Sequence, residues 1–175
     1  MVERPGEAAM AVAIQLAESW NARDLTRFLS FLTEDVEWDD PAMQQPARGR
    51  AAVEQFAKSV LEAFPDFEYK IREPICVASD ESRCAVPWRI TATHTERWEP
   101  PGYGPTNRTV DFEGVDLLEF RGPQVCRIET LFDVVGAAGQ LLGLTLRPPV
   151  GGMRERVAVL GQRARAYWLR EVRGH

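Results

Sequence analysis

The stretch Gly49–Asp66, "GRAAVEQFAKSVLEAFPD", decides the fold, because it carries the clearest helical period in the chain and the pattern changes straight after it. Val53, Phe56, Ala57, Val60, Leu61 and Phe64 fall at i, i+3, i+4, i+7, i+8 and i+11, one apolar stripe that Pro65-Asp66 brings to an end. Downstream, the alternation becomes two-residue. Phe67–Ser79, Arg83–Arg97, Arg108–Phe120 and Gln124–Val134 read as four long strands, with turn signals at "SDES", "EPPGYGP" and "RGPQ". A short helix, Val135–Leu142, follows. Upstream, "VEWDDP" (Val36–Pro41) reads as a strand end, preceded by helices over Ala8–Trp20 and Leu25–Leu32 that "NARD" separates. Three helices with one embedded strand, then consecutive strands, predict an α+β fold with helices on one face of a curved, mostly antiparallel sheet.

"RPPVGG" (Arg147–Gly152) reads as a linker, so the expected organisation is a domain over 1–146 and a linker with an amphipathic helix over 147–175. In that helix Met153, Val157, Leu160, Ala164 and Tyr167 share a face. Such a stripe needs burial against its own domain or a partner subunit, as a cap on a cavity, or on a membrane or acidic surface.

The chain has 175 residues, 45% hydrophobic and 27% charged, which suits one domain with a real core. A net charge of −5 and the absence of a basic patch with interleaved aromatics speak against nucleic acid. The basic residues gather only at the end, where residues 151–175 hold six Arg against two Glu. Three cysteines, Cys76, Cys84 and Cys126, are odd in number and lack metal-ligand spacing, so reduced buried thiols are expected. The early run "AAMAVAI" follows Glu3, Pro5 and Glu7 instead of a basic segment and continues into a helical pattern, which argues against a signal peptide. No run is long enough to span a bilayer, and the reading is a soluble, cytoplasmic protein.

Strand phase picks out the polar residues that share a face with the core. Val110, Phe112, Gly114, Asp116, Leu118 and Phe120 fall on one face, with Asp116 the lone acid among them. A carboxylate there must be paired or protonated, either as a structural hydrogen bond or as a catalytic acid. Cys84, Val86, Trp88, Ile90, Ala92 and His94 form the neighbouring column, which places His94 at a strand end as either a core histidine or a cavity group. In the first strand Val36, Trp38 and Asp40 point inward, while Glu37 and Asp39 point out. An inward carboxylate at Asp40 suits proton abstraction, because burial tunes its basicity. Asp133 falls out of phase with Cys126, Ile128, Thr130 and Phe132, and is read as a cap for the following helix. "GYG" lacks the strand–helix context of a dinucleotide site, His94 with Glu96 falls short of a metal site, and no serine sits in a nucleophile elbow.

Four segments together resemble the NTF2-like superfamily, in its SnoaL-like polyketide cyclase and ketosteroid isomerase branch. They are "AESWNARDLTRFLSFLTEDVEWDDP", "RGRAAVEQF", "VPWRITATH", and "GVDLLEF" followed by "RIETLFDVVGAAGQLLGL", and they cover roughly residues 8–144. The resemblance implies a cone: a bent sheet around a long helix, with a pocket at the wide end. It implies that Asp40 occupies the position of the isomerases' general base and Asp116 that of their protonated, oxyanion-stabilising aspartate, a pair whose logic is known from those isomerases. It also implies that Trp38, Trp88, His94, Phe112, Ile128 and Phe132 line the pocket, with Leu16 and Trp20 of the first helix. Leu16 stands where the steroid isomerases carry an oxyanion tyrosine, which removes that donor. The cyclases' last-strand aspartate matches Asp133 or, in another register, Thr130.

The resulting expectation is an acid–base enzyme without cofactor or metal, acting on a hydrophobic oxygenated small molecule such as a polyketide or steroid-like compound. Asp40, Asp116 and His94 are its catalytic candidates, and the reaction is cyclisation, isomerisation, dehydration (lyase) or epoxide opening as by an epoxide hydrolase. The rival expectation is a non-catalytic small-molecule-binding or dimerisation module of the same fold. A homodimer through the sheet face is the family habit.

Overall fold

The computed structural model describes residues 6–100, 102–144, 152, 153, 155–157 and 159–163. Four helices are α1 (Glu7–Asn21), α2 (Leu25–Ser30), α3 (Arg50–Ala63) and α4 (Val134–Leu142). The strands are β1 (Leu32–Asp39), β2 (Ala47–Arg48), β3 (Glu68–Ile71), β4 (Cys76–Val77), β5 (Arg83–Thr93), β6 (Thr109–Arg121) and β7 (Gln124–Phe132). They form one sheet in the order β2-β1-β7-β6-β5-β3, with β4 also paired to β5. Every pairing is antiparallel except β1 with β7. The α+β class and the mostly antiparallel sheet follow the sequence reading.

The chain divides by its contacts into Met1–Leu144 and Thr145–His175. In the second unit, Arg156 N donates to Gly152 O at 3.1 Å, and Met153, Val157 and Leu160 are exposed. Ala164 and Tyr167, read above as part of the same stripe, lie outside the described residues.

Helix α3 starts where the sequence provides a glycine and an arginine side by side. Gly49 takes φ +79°, its N–H donates to Val36 O at 2.7 Å, and Arg50 Nε donates to Leu32 O at 3.0 Å. Two carbonyls of β1 therefore fix the helix start, and the stripe of α3 turns inward: Val53 and Ala57 are fully buried, with Val60 and Leu61 nearly so. Trp20 of α1 packs edge-on against Phe28, Trp38 and Phe67 at centroid distances of 5.3, 5.7 and 5.6 Å, each pair contributing roughly 0.5–1.5 kcal/mol beyond burial. Asp24 caps α2 by accepting from Arg27 N at 2.9 Å, which is the physical content of the "NARD" break.

The structure corrects the strand reading in two places. Phe67–Ser79 is two short strands, β3 and β4, because Pro74 between them has no N–H to donate to a ladder. Cys76, expected to be buried, is consequently exposed on the two-residue β4, while Cys84 is buried and Cys126 partly so; all three are free thiols. Arg83–Arg97 ends as a strand at Thr93; the His94 backbone keeps two bonds to the returning loop, donating to Arg108 O at 3.0 Å and accepting from Asn107 N at 2.9 Å. The chain then leaves the sheet for a loop closed by a bridge between Trp98 and Tyr103.

Candidate functional site

Between the helices and the inner face of the sheet lies a cavity of about 920 Å³, the size that holds a polycyclic small molecule. Asp40 and Asp116 both line it. So do the predicted lining residues other than His94: Trp38, Trp88, Phe112, Ile128 and Phe132 from the sheet, and Leu16 and Trp20 from α1.

Asp40 follows directly on β1, and the two-residue phase turns it inward while Asp39 is exposed. The doubled acid at the end of "VEWDDP" thus has two jobs, one solvated and one enclosed. A turn holds Asp40 in place: its Oδ1 accepts from Ala42 N at 2.7 Å and its carbonyl accepts from Met43 N at 2.8 Å. Its side of the cavity is tight enough that the residue is only 8% exposed. Burial pushes its pKa up to about 7 against the pull of the Ala42 N–H, and the negative charges of Asp116 and Asp39 add to the rise.

Asp116 sits on β6 opposite Val86 and Thr130. It is half-buried, with a surface toward the cavity. Oδ1 accepts from Thr130 Oγ1 at 2.8 Å, and Oδ2 accepts from the Tyr69 hydroxyl at 2.9 Å. Thr130 Oγ1 in turn accepts from Trp38 Nε1 at 3.0 Å. Burial raises the pKa of Asp116, opposed by Thr130, Tyr69 and the indole N–H of Trp88. That indole N–H completes no hydrogen bond of its own, yet favours the carboxylate from nearby. Both carboxyl groups are thus pushed toward the neutral form by burial, and the charge of Asp116 adds to the rise at Asp40.

The other candidates divide. Thr130, one of the two last-strand alternatives, is buried in the cavity wall as the donor to Asp116. Asp133, the other, caps α4 by accepting from Gly136 N at 3.0 Å and does not line the cavity. His94 is fully buried and stacks on Phe64 at 5.0 Å, while Phe64, not His94, forms the cavity wall. Its Nδ1 lies 3.3 Å from Thr106 Oγ1, its Nε2 has no hydrogen-bond partner among the described residues, and burial lowers its pKa, favouring the neutral ring. The structure therefore does not bring His94 to the two aspartates.

Sequence reasoning missed Tyr69. The signal was present, since Phe67, Tyr69 and Ile71 alternate onto one face and a hydroxyl stands in that apolar column. It also missed α4 as a wall: Val134, Ala137, Ala138 and Leu141 close one side of the cavity. Among the described residues, no group of three or more His, Cys, Asp or Glu could hold a metal ion, and no helix is long and apolar enough to cross a membrane.

With this geometry in view, residues 13–128 match the SnoaL-like domain family. No curated protein sequence gives a match. Several solved structures share the fold. AclR of Streptomyces galilaeus, to which a hydroxylase activity is ascribed, superposes with a TM-score of 0.66 at 21% identity, covering 98% of this chain and 99% of its own. A protein of Xanthomonas campestris pv. campestris assigned as a polyketide cyclase gives 0.69 at 18% identity, over 79% of this chain and 99% of its own. A protein of Jannaschia sp. CCS1 assigned as a SnoaL-like polyketide cyclase gives 0.69 at 20% identity, over 85% and 99%.

Proposed function

We propose that this chain, which belongs to the SnoaL-like domain family, is an acid–base enzyme needing no cofactor and acting on a hydrophobic, oxygenated small molecule of polyketide or steroid-like kind. The observation that carries the proposal is the placing of two carboxyl groups with raised pKa values, Asp40 and Asp116, in one largely apolar cavity. Asp40 is the base. With a pKa near 7 it is ionised in a useful fraction at neutral pH, yet basic enough to take a proton from carbon next to a carbonyl. The Asp116 assembly is the acid, stabilising the oxygen on which charge develops. The aromatic walls hold the ring system and exclude water.

Ring closure through such an enolate is the reaction we favour, supported by the polyketide cyclase assignments of the similar structures. Isomerisation, dehydration and epoxide opening use the same two groups. His94 is assigned to supporting the wall behind Phe64. The catalytic domain is 1–146, with 147–175 an appended linker and helix. The three free thiols suit a cytoplasmic protein.

Proton–deuterium exchange in D₂O, followed by NMR over a panel of polycyclic ketones and β-dicarbonyls, tests the reading. Exchange is expected with wild type and is expected to vanish with Asp40→Asn. Wild-type exchange rates in Asp40→Asn would remove Asp40 as the base. Ligand binding with no exchange in wild type would favour epoxide opening or a non-catalytic binding module.

A further inference from the structure

We infer that Tyr69 is the group that hydrogen-bonds the reacting oxygen of the substrate, with Asp116 acting through it as a positioning and proton-supplying residue. This rests on the acid–base reading above and names the atom that delivers the proton.

The direction of the hydrogen bonds carries the inference. An indole N–H can only donate, so Trp38 Nε1 fixes Thr130 Oγ1 as its acceptor, at 3.0 Å. Thr130 then has one proton left, and it goes to Asp116 Oδ1 at 2.8 Å. That arm of the network runs one way only. The other arm, between the Tyr69 hydroxyl and Asp116 Oδ2 at 2.9 Å, has no such fixed end and can reverse. With Asp116 ionised, Tyr69 donates to it. With the proton on Oδ2, Asp116 donates to the phenolic oxygen and the Tyr69 proton must turn elsewhere. Among the described residues the hydroxyl has no second protein partner, and Tyr69 lines the cavity, so the freed O–H is offered to whatever occupies it. The ring is held for this by Trp88, at a centroid distance of 5.8 Å, and β3 is held by Asn21, whose Oδ1 accepts from Tyr69 N at 2.8 Å. Burial favours the neutral forms of both Asp116 and Tyr69.

The protons balance. Asp40 takes the carbon-bound proton of the substrate, the forming enolate oxygen takes the Tyr69 proton, and Tyr69 takes the Oδ2 proton of Asp116. Asp116 is left as the carboxylate that accepts from Thr130 and Tyr69 across the 2.8 and 2.9 Å contacts. Return of the Asp40 proton to the product and reprotonation of Asp116 from the enol reset the site. The ligand class this selects is a ketone, enol or phenol on a polycyclic skeleton.

Binding of 2-naphthol, whose anion mimics an enolate, is compared with that of 2-methoxynaphthalene, which cannot ionise. The proteins are wild type, Tyr69→Phe, Asp116→Asn and Asp116→Ala, with thermal unfolding to check folding. Wild type is expected to prefer the naphthol and to raise its ionised fraction, read by absorbance. Tyr69→Phe should lose about tenfold in naphthol affinity, one hydrogen bond's worth, with methoxynaphthalene affinity unchanged. Asp116→Asn should stay near wild type, because its amide donates to Tyr69 and accepts from Thr130. Asp116→Ala should fall like Tyr69→Phe. Unchanged naphthol affinity in Tyr69→Phe with a loss in Asp116→Asn would make Asp116 the direct donor and overturn the inference. Equal loss of both ligands in Tyr69→Phe would reduce Tyr69 to packing. If wild type shows no preference for the naphthol, the acid–base reading itself fails, so the two failures are distinguishable.

Discussion

Asp40 carries a cost that depends on pH. Its pKa rises from the ordinary 3.8 to about 7 in the folded chain, so the native state disfavours the charge that the unfolded chain bears freely. Below about pH 4 both states are protonated and nothing is lost. Between pH 4 and 7 the unfolded chain ionises first and stability falls; above pH 7 the loss is complete. Asp40→Asn keeps the acceptor for Ala42 N and removes the charge. It should therefore match wild type in urea unfolding at pH 4 and exceed it by a few kcal/mol at pH 8. Under the proposed function, wild-type kcat/KM should rise with an apparent pKa near 7, and that limb should be absent in the variant. Strand phase made Asp40 and Asp116 legible in the sequence, since alternation needs no knowledge of partners. The same phase put His94 inward, but could not show that Phe64 would come between it and the cavity, because that depends on where α3 docks.

At the scale of elements, the central strands meet at a glycine. Gly114 lies opposite Trp88 and Phe132, and a Cβ built there would fall 2.3 Å from the Trp88 ring and 2.6 Å from Leu131 O. The missing side chain at Gly114 leaves the space that the Trp88 ring occupies. Gly114→Ala should lower stability by ~1–3 kcal/mol or more and alter the near-ultraviolet circular dichroism of the tryptophans. Helix α4 depends on a clamp. Gln140 Oε1 accepts from Asp111 N at 2.7 Å, Nε2 donates to Asp111 O at 3.0 Å, and Arg108 Nε donates to the Gln140 carbonyl at 2.8 Å. Gln140→Ala should speed amide exchange in α4 by about tenfold, as expected for the loss of ~1.4 kcal/mol, while β5 and β6 keep their protection.

For the whole molecule, the outer face of the sheet carries an apolar row across three strands. Pro87 is opposite Val115, Val115 is opposite Leu131, and Leu131 is 47% exposed. A homodimer through this face is our proposal, and sedimentation velocity should find it for wild type. Leu131→Glu should give the monomer's mass, because each copy would bring an unpaired carboxylate into the buried face. Removal of residues 148–175 should leave the dimer intact if the sheet face alone holds it. A monomeric truncation would give that role to the tail.

Local patterns determined the element types, their order and the inward phase of both aspartates, because helical and strand periods are set by neighbours along the chain. They also supplied the Gly49-Arg50 helix start and the Asp133 cap, whose partners lie on the adjoining strand or within three residues. Tertiary structure alone decided which inward polar groups meet. Tyr69 and Asp116 are 47 residues apart and Trp38 and Thr130 are 92 apart, and only the curvature of one sheet brings these four side chains to a single cavity. No period along the chain encodes that meeting; it arises from the packing of α3 and α1 against the bent sheet, which fixes both the volume enclosed and the dielectric around the two carboxyl groups.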